Sequence, residues 1–228
     1  MDIMWDGTRL FVAGPDTTWW VPSGPSPGRV VGVRLRPGRG AAVLGVPATA
    51  VVDVRPDLAA LWGSMTCWED RLAETTSAAS AGMVLEQLVE ARLRRTGDFD
   101  RTVDGAIATI RNRRGPGLVG TLSDELGVGE RQLLRRFQAC VGYGPKLLHR
   151  VLRFQRFLDL LAADPDRDLA GAAAWTGYAD QSHLTRDAVR LAGRPPSQLR
   201  ERARRAGPGA RVSETFKTGG DPELIIGR

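Results

Sequence analysis

Hydrophobic positions recur at helical spacing through the C-terminal part of the chain. The clearest case lies in LLHRVLRFQRFLDLL, residues 147–161, where apolar residues follow one another at intervals of four, three, four and three: Leu147, Val151, Phe154, Leu158 and Leu161. This spacing places them on one face of a helix. The opposite face carries four basic residues: Lys146, Arg150, Arg153 and Arg156. The pattern predicts a long helix that is buried along one stripe.

A similar segment stands on each side of this helix. Leu133, Arg135, Gly142 and Pro145 recur 51 positions later as Leu184, Arg186, Gly193 and Pro196. In each copy, helical spacing of apolar residues precedes a glycine, and a second helix follows. The repeat predicts one helix–turn–helix supersecondary unit that is used twice.

The second helix of each copy has a narrow polar face. In the first copy, Glu130 to Val141, the residues predicted inward are Leu133, Leu134, Phe137 and Val141, and those predicted outward are Arg131, Gln132, Arg135 and Arg136. In the second copy, Asp180 to Ala192, the inward residues are Leu184, Ala188 and Leu191, and the outward ones are Gln181, Ser182, Thr185 and Arg186. A helix with such a face is typical of a recognition helix that reads DNA.

The N-terminal part has a different pattern. Four short segments rich in Val, Trp, Phe and Thr, separated by glycine and proline, are predicted strands: MDIMW, TRLFVAG, TTWWVP and RVVGVRL. Short helices are predicted at 39–44 and 58–62, and longer ones at 67–79, 81–96 and 100–113. On the helix over 81–96 the predicted inward residues include Met83 and Leu93.

These patterns predict an α+β protein with a small N-terminal β-sheet accompanied by helices. The C-terminal domain is predicted to be all-α, with two helix-turn-helix units joined by the long linker helix. We expect an N-terminal regulatory domain over 1–80, a helical connector over 81–114, a DNA-binding domain over 115–206 and a flexible tail over 207–228. The sequence RNRRGPG at residues 111–117 is the predicted linker.

Composition narrows the classes of function. The 228-residue chain has a net charge of +6, an apolar content of 42% and a sequence pI of about 10.3. A basic balance agrees with a nucleic-acid partner when it accompanies such a repeat. Cys67 and Cys140 form no metal-binding pair, and we interpret both as buried small apolar residues. His149 and His183 stand apart from any ligand cluster, so neither a metal nor another cofactor is predicted.

No catalytic constellation is visible, and we expect no enzyme activity. The acidic pairs near helix ends, such as Asp164 and Asp168, are explained by capping. The sequence has no apolar run long enough for a transmembrane helix and no secretory signal pattern, which predicts a cytoplasmic protein.

The C-terminal segment resembles the DNA-binding domain of the AraC/XylS family of bacterial transcription regulators. The matching features are ERQLLRRF with Gly142 and Pro145, the helix LLHRVLRFQRFLDLL, and GYADQSHLTR with Gly193 and Pro196. One position departs from the family pattern: Ala188 stands where relatives usually have Phe, and Phe137 fills the equivalent place in the first copy. We therefore expect the second core to be underfilled.

The N-terminal segment resembles a domain that precedes the AraC-type module in other regulators. The motifs that carry this resemblance are WDG, FVAGPDT, VVGVRLRPG, VLGVPA and LWG. Such relatives usually have another strand upstream. The resemblance implies either that the native start lies before Met1 or that the sheet has a bare edge strand.

The resemblance to the family implies which residues contact DNA. In the first copy these are Arg131, Gln132, Arg135 and Arg136; in the second they are Gln181, Ser182, His183, Thr185 and Arg186. On the linker helix, Lys146, Arg150 and Arg153 are the expected phosphate contacts. Arg and Gln can each form two hydrogen bonds with a base edge in the major groove, whereas Lys and Arg also neutralise phosphates.

The expected function is that of a sequence-specific DNA-binding transcription regulator that inserts two recognition helices into successive major grooves. The alternative is a ligand-sensing regulator, in which the N-terminal domain binds a small-molecule effector or a protein partner and so controls DNA binding. Trp5, Trp19 and Trp20 could line a pocket there, although core packing is the commoner role of such residues. The expected partners are double-stranded promoter DNA, RNA polymerase, a small-molecule effector and a second copy bound through the N-terminal domain.

Overall fold

A computed structural model describes residues 1–19, 30–112, 118–206 and 225–227. The α+β class is confirmed, with a small β-sheet near the N-terminus and a C-terminal half built from helices. The predicted linker is described only at Arg111 and Asn112, and Trp20 lies outside the described residues.

The sheet has the strand order β2–β1–β3–β4. The strands are β1 (Asp2–Trp5), β2 (Leu10–Ala13), β3 (Val31–Arg34) and β4 (Ile225–Gly227). β1 pairs antiparallel with both β2 and β3, so that Ile3 stands opposite Val12 on one side and Val33 on the other. The strand of MDIMW is therefore not an edge strand, because it lies in the middle of the sheet.

β4 differs from the flexible tail predicted over 207–228. Its three residues pair in parallel with β3, from Val31 opposite Ile225 to Val33 opposite Gly227. Residues 207–224 lie outside the described part of the chain. The segment TTWWVP also differs from its prediction, because Thr17 and Thr18 form a bend and Trp19 belongs to no strand.

Most helices lie close to their predicted positions, but the helix predicted over 67–79 ends at Ala73, and the one predicted over 81–96 covers Ala78–Leu93. The helices are α1 (Gly40–Leu44), α2 (Leu58–Trp62), α3 (Thr66–Ala73), α4 (Ala78–Leu93), α5 (Arg101–Asn112), α6 (Leu118–Leu126), α7 (Glu130–Val141), α8 (Pro145–Ala163), α9 (Leu169–Thr176), α10 (Gln181–Ala192) and α11 (Pro196–Ala206), with a 3-10 helix at Ala48–Val51. Glycines in left-handed conformation end both second helices, Gly142 at φ 95° and Gly193 at φ 66°. Left-handed backbone favours glycine at these positions.

α4 covers the sheet and completes the N-terminal core. A capping box between Ser77 and Ser80 starts the helix. Its buried face, which includes Leu85 and Leu88, packs in one cluster with the inward residues of the strands. Met83 and Leu93 were predicted to lie in this face, but both are exposed.

The two helices of the predicted connector, α4 and α5, pack in different clusters. α5 belongs to a second cluster with α6, α7 and the start of α8, in which Val103, Ile107 and Phe137 are buried. We call α6 and α7 the first head, and α9 and α10 the second head. α7 also packs against the 3-10 helix and α1.

The second head packs against the later part of α8 and against α11. Phe154, Phe157 and Leu184 lie in this third cluster. The predicted stripe of α8 is partly wrong, because Leu147 and Val151 are only half-buried whereas Leu148 and Phe157 are buried. α8 is buried on more than one side, since α5 and the second head pack on it and Leu148 lies in the cluster of the first head. Leu134 of α7 was predicted inward and is exposed.

Candidate nucleic-acid interface

The first head presents three of the predicted contact residues together. α7 begins after Gly129, and its inner face is fixed by the buried Leu133, Phe137 and Val141. Arg131, Gln132 and Arg135 lie on the exposed face. No described hydrogen bond or ion pair engages any of these three side chains within the chain. They are free to donate to an external acceptor.

Arg136 has a different environment from its neighbours. Its guanidinium forms two hydrogen bonds with Asp100, with Nε to Oδ2 at 2.7 Å and Nη2 to Oδ1 at 2.8 Å. The same carboxylate accepts from the backbone amides of Thr102 and Val103 at the start of α5. Arg136 therefore ties the first recognition helix to α5, a role that the sequence prediction of a DNA contact did not include.

This network changes the ionisation of Asp100. Burial acts to raise the pKa of its carboxyl group, but the hydrogen bond from Arg136 and the amide of Val103 outweigh that effect. The net pKa is lowered from its ordinary value, so Asp100 is held as a carboxylate. The partner Arg136 has its pKa raised, first by the hydrogen bond to Asp100.

The second head brings another four predicted residues together. Gln181, Ser182, Thr185 and Arg186 line one shallow depression on the outer side of α10. The helix starts at Asp180, whose carboxylate accepts from the amide of His183 at 2.6 Å. This N-cap fixes the first turn, from which Gln181 and Ser182 project. All four residues can therefore approach the same ligand surface.

His183, another residue of the predicted contact set, has partners within the chain. Its Nε2 lies 3.0 Å from Nη2 of Arg153, and its ring meets the ring of Tyr178 edge to face at a centroid distance of 5.3 Å. The side chain is half-buried. It is thus directed toward the linker helix, not only toward solvent.

Asp187 is the centre of a charged cluster that the sequence analysis missed. It is buried on α10, and it forms ion pairs with Arg153 at 2.8 Å and with Arg150 at 3.2 Å. The Arg153 guanidinium also lies over the Tyr178 ring at 4.1 Å. Burial raises the pKa of Tyr178, and the Asp187 charge adds to this, so the phenol stays neutral.

These contacts separate the basic residues of the linker helix. Lys146 is exposed and Arg150 is half-exposed, whereas Arg153 is almost buried. Of the three expected phosphate contacts, only Lys146 lacks an ion pair with Asp187.

A sequence signal for the cluster around Asp187 existed: Asp187 stands 51 positions after Arg136, next to the inward Ala188. An acid at that position of a basic recognition helix requires a cationic partner.

The remaining reactive side chains form no further site of this kind. Cys67 is exposed and Cys140 half-buried, so the expectation that both are buried is wrong for Cys67. Among the described residues, no group of three or more His, Cys, Asp or Glu side chains is placed to hold a metal ion. None of the described helices has the length and apolar character needed to cross a membrane.

Comparison with known proteins identifies the domain that carries this surface. Residues 122–202 match the family model described as "Helix-turn-helix domain". The resemblance of this segment to the AraC-type helix-turn-helix domain is thereby confirmed. This domain assignment supports a DNA-binding transcription regulator.

One solved structure is also similar. It is the crystal structure of a probable AraC family transcriptional regulator from Rhodopseudomonas palustris CGA009, with 26% identity over 46% of this chain and 98% of that chain and a TM-score of 0.41. A comparison with curated proteins found no significant match.

Proposed function

We propose that this protein is a sequence-specific DNA-binding transcription regulator of the AraC type. The observation that carries the proposal is the pair of exposed recognition helices on one linker helix. α7 offers Arg131, Gln132 and Arg135, and α10 offers the depression lined by Gln181 and Arg186. Their side chains are of the types that read base edges in the major groove.

The two heads are proposed to enter successive major grooves on one side of the duplex. Each head packs on α8 through its own buried cluster, so one rigid helix sets the distance between them. Major grooves on one side of B-DNA repeat every 10–10.5 base pairs, which is about 34–36 Å. The proposed site therefore consists of two short elements about one turn apart.

Phosphate contacts supply affinity in this proposal. Lys146 is the expected holding residue on α8, because Arg150 and Arg153 are engaged with Asp187. Arg131 and Arg135 add charge close to the groove. Binding should fall steeply with salt, as counterions are released from the neutralised phosphates.

The test is a fluorescence-anisotropy titration with a labelled duplex from the region upstream of the coding sequence. We expect that duplex to bind at least about a thousandfold more tightly than scrambled DNA of the same composition, as specific regulators do. The double variant Arg135→Ala/Arg186→Ala should remove this preference while its circular dichroism spectrum stays unchanged. Equal affinity for both duplexes at every salt concentration would overturn the proposal.

A ligand-sensing role is the second candidate, and a specific observation favours it. A cavity lies between the N-terminal core and α8, lined on one side by residues such as Trp19 and on the other by Phe154. Trp5, in contrast, is buried in the N-terminal core. The cavity joins a proposed sensor to the helix that carries both heads.

Other parts of the proposal follow from the same role. We propose a regulatory domain that includes α4, with the boundary between Leu93 and Arg101, because α4 and α5 pack in separate cores. RNA polymerase and a second copy, bound through the N-terminal domain, are the proposed protein partners. A non-enzymatic role in the cytoplasm follows if the protein acts on promoter DNA.

A further inference from the structure

A cavity of about 520 Å³ separates the N-terminal core from the linker helix. Its volume lies within the range of small-molecule sites, which is roughly 300–1,000 Å³. Apolar side chains of α8, among them Val151, Phe154 and Leu158, form one wall. Trp19 and Leu191 contribute from the loop after β2 and from the second recognition helix. These walls suit an apolar body of one or two rings.

Four arginines line the same cavity, and they differ in their partners. Arg34 pairs with Asp2 at 3.1 Å, and Arg55 pairs with Asp16 at 2.8 Å. The side chains of the other two, Arg36 and Arg111, have no partner anywhere in the described residues. Both of these side chains are exposed to solvent, so the rim of the cavity carries two positive charges that are unpaired among the described residues, beside an apolar wall.

Tyr143 adds a neutral donor to this lining. Burial raises the pKa of its phenol to about 12, and the charges of Asp16 and Asp2 act in the same direction. The hydroxyl group thus keeps its proton at neutral pH and can donate a hydrogen bond. Guanidinium groups recognise carboxylates by paired, charge-assisted hydrogen bonds.

We propose that this cavity binds a small organic carboxylate with an apolar, ring-sized body. The carboxylate lies between the guanidinium groups of Arg36 and Arg111, and the apolar body lies against Phe154 and Trp19. Bound ligand is reported to both heads by the loop of residues 14–19, which we call the bridging loop.

The bridging loop contacts the end of each recognition helix. A Cβ atom placed on Gly142, which ends α7, would lie 2.4 Å from Cγ of Pro15. A Cβ atom placed on Gly193, which ends α10, would lie 2.7 Å from Cδ2 of Trp19. The loop therefore packs directly on the two equivalent glycines of the repeat. Pro15 and Trp19 also line the cavity, so a ligand touches the same residues that touch both heads.

Residues after the 3-10 helix hold the bridging loop in place. Asp53 accepts hydrogen bonds from the amide and the hydroxyl of Thr17 at 2.8 and 2.7 Å. Its backbone has φ 57°, an uncommon conformation for a residue other than glycine. Such conformations persist where the surrounding structure fixes them, and they often occur at functional sites. The bridging loop is thus held in a defined conformation by its hydrogen bonds to Asp53.

Coupling between the cavity and DNA rests on the proposed function, whereas ligand binding does not. The two are therefore measured separately. The probe is 2-naphthoate, with the neutral 2-naphthamide as its matched analogue, and binding is measured by isothermal titration calorimetry on the full chain. We expect 2-naphthoate to bind at least about tenfold more tightly than 2-naphthamide, because one charge-assisted pair contributes about that factor.

Variants assign the binding to the cavity. Arg36→Ala and Arg111→Ala should each weaken 2-naphthoate about tenfold without affecting 2-naphthamide. Arg95→Ala, at an exposed arginine outside the cavity, is the control and should change neither. Val151→Trp fills the cavity and should abolish both, with an unchanged circular dichroism spectrum. No binding at millimolar concentration, or binding that ignores Arg36 and Arg111, would overturn the proposed site.

Hydrogen exchange measures the coupling without DNA. Saturating 2-naphthoate should slow amide exchange around both Gly142 and Gly193, and Trp19→Ala at saturation should remove only the response at Gly193. Binding without any change at either glycine would overturn the coupling but leave the site. If both responses occur and the upstream duplex binds no better than scrambled DNA, the proposed function fails while this inference stands.

Discussion

Arg153 of the linker helix and Asp187 of the second recognition helix form an ion pair of 2.8 Å, and their side chains are only 11% and 6% exposed. Arg150 also pairs with the Asp187 carboxylate, and His183 lies against the guanidinium of Arg153. The pair therefore fixes the orientation of α10 on α8. This geometry assigns Arg153 to the support of the second head, although the sequence predicted a phosphate contact.

The first prediction concerns Asp187→Asn. Without the carboxylate, Arg150 and Arg153 are left side by side, with one of them nearly buried. Removing one charge of a buried ion pair costs several kcal/mol of stability, and we expect a loss of about 3 kcal/mol in the free energy of unfolding. Arg153→Ala should cost less, since Arg150 still pairs with Asp187. Chemical denaturation without DNA measures both.

Arg190→Ala is the matched control for these variants. Arg190 is an exposed arginine of the same helix, and it has no ion pair within the described residues. Its replacement should leave the denaturation midpoint unchanged. The structural role of Arg153 would be wrong if Arg153→Ala kept full stability and instead reduced the slope of log affinity for DNA against log salt concentration by the amount expected for one phosphate contact.

The second prediction concerns base reading by Arg135. This residue lies one turn after Arg131 on the exposed face of α7. Arg135→Ala should weaken binding to the preferred site by about 1–3 kcal/mol and relax the preference at one base position. The measurement is selection of binding sites from random duplexes. Stability should not change, because the side chain has no partner in the described chain.

Lys146→Ala is the comparison for Arg135→Ala. An exposed lysine at the start of α8 is expected to hold a phosphate, so its removal should weaken all sequences alike and reduce the salt slope by about one. The roles would be reversed if Lys146→Ala altered the selected sequence and Arg135→Ala did not.

Most of the helical part could be predicted from the sequence because its signals are local. The glycines after α7 and α10 mark positive φ, and apolar spacing marks the buried faces of both heads. The 51-residue repeat also identified the two units. Helix positions follow from such signals within one or two turns of chain.

The partners of the charged residues could not be predicted in the same way. Arg136 and Asp100 are 36 residues apart, and Arg153 and Asp187 are 34 apart. Helical periodicity gives the face on which a residue lies, but not which distant side chain meets it. The middle position of β1 and the pairing of β4 likewise depend on contacts between distant segments. This is why a basic face was interpreted as a DNA surface when part of it is internal.

The third prediction uses the lowered pKa of Asp100. The pKa of this carboxyl group is lower in the folded state than in the unfolded chain, where it is near 3.9. Such a group stabilises the fold at pH values above its pKa in the unfolded chain. That contribution is lost as the pH falls through the folded pKa. Asp100→Asn should therefore be less stable than the parent at pH 7, and the difference should shrink below about pH 4. Denaturation midpoints from pH 3 to 7 test this.

Asp98→Asn is the control for this pH dependence. Asp98 is exposed and has no partner within the described residues, so the difference between this variant and the parent should stay near zero throughout the range. A difference for Asp100→Asn that does not vary with pH would contradict the assigned pKa shift.

The fourth prediction concerns Ala188, where an underfilled core was expected. Ala188 is fully buried, in a cluster that contains Phe154, Phe157 and Tyr178. Trp175 and Val189 are both exposed, so the side chains that enclose Ala188 are those of this buried cluster and leave it no exposed surface. We expect Ala188→Phe to overpack the second head and to cost roughly 1–3 kcal/mol. Thermal unfolding should show a lower midpoint, whereas Ala174→Phe, at an exposed position of α9, should not. A raised midpoint for Ala188→Phe would mean that the site is underfilled after all.

The last prediction separates backbone strain from the contact between Trp19 and the second head. Gly193 and Gly127 both end helices in left-handed conformation, with φ 66° and 63°. A Cβ atom at Gly127 meets nothing within 4 Å, whereas one at Gly193 meets the Trp19 ring at 2.7 Å. Gly127→Ala should therefore cost only the conformational term, about 1–2 kcal/mol. Gly193→Ala should cost more, because the alanine methyl group must also displace the indole. In a Trp19→Ala background the added cost should vanish, and a double-mutant cycle measured by chemical denaturation gives it directly. Equal losses in the free energy of unfolding for Gly127→Ala and Gly193→Ala in the parent protein would show that Trp19 moves aside at no cost. The proposed coupling between the cavity and the second recognition helix would then be wrong.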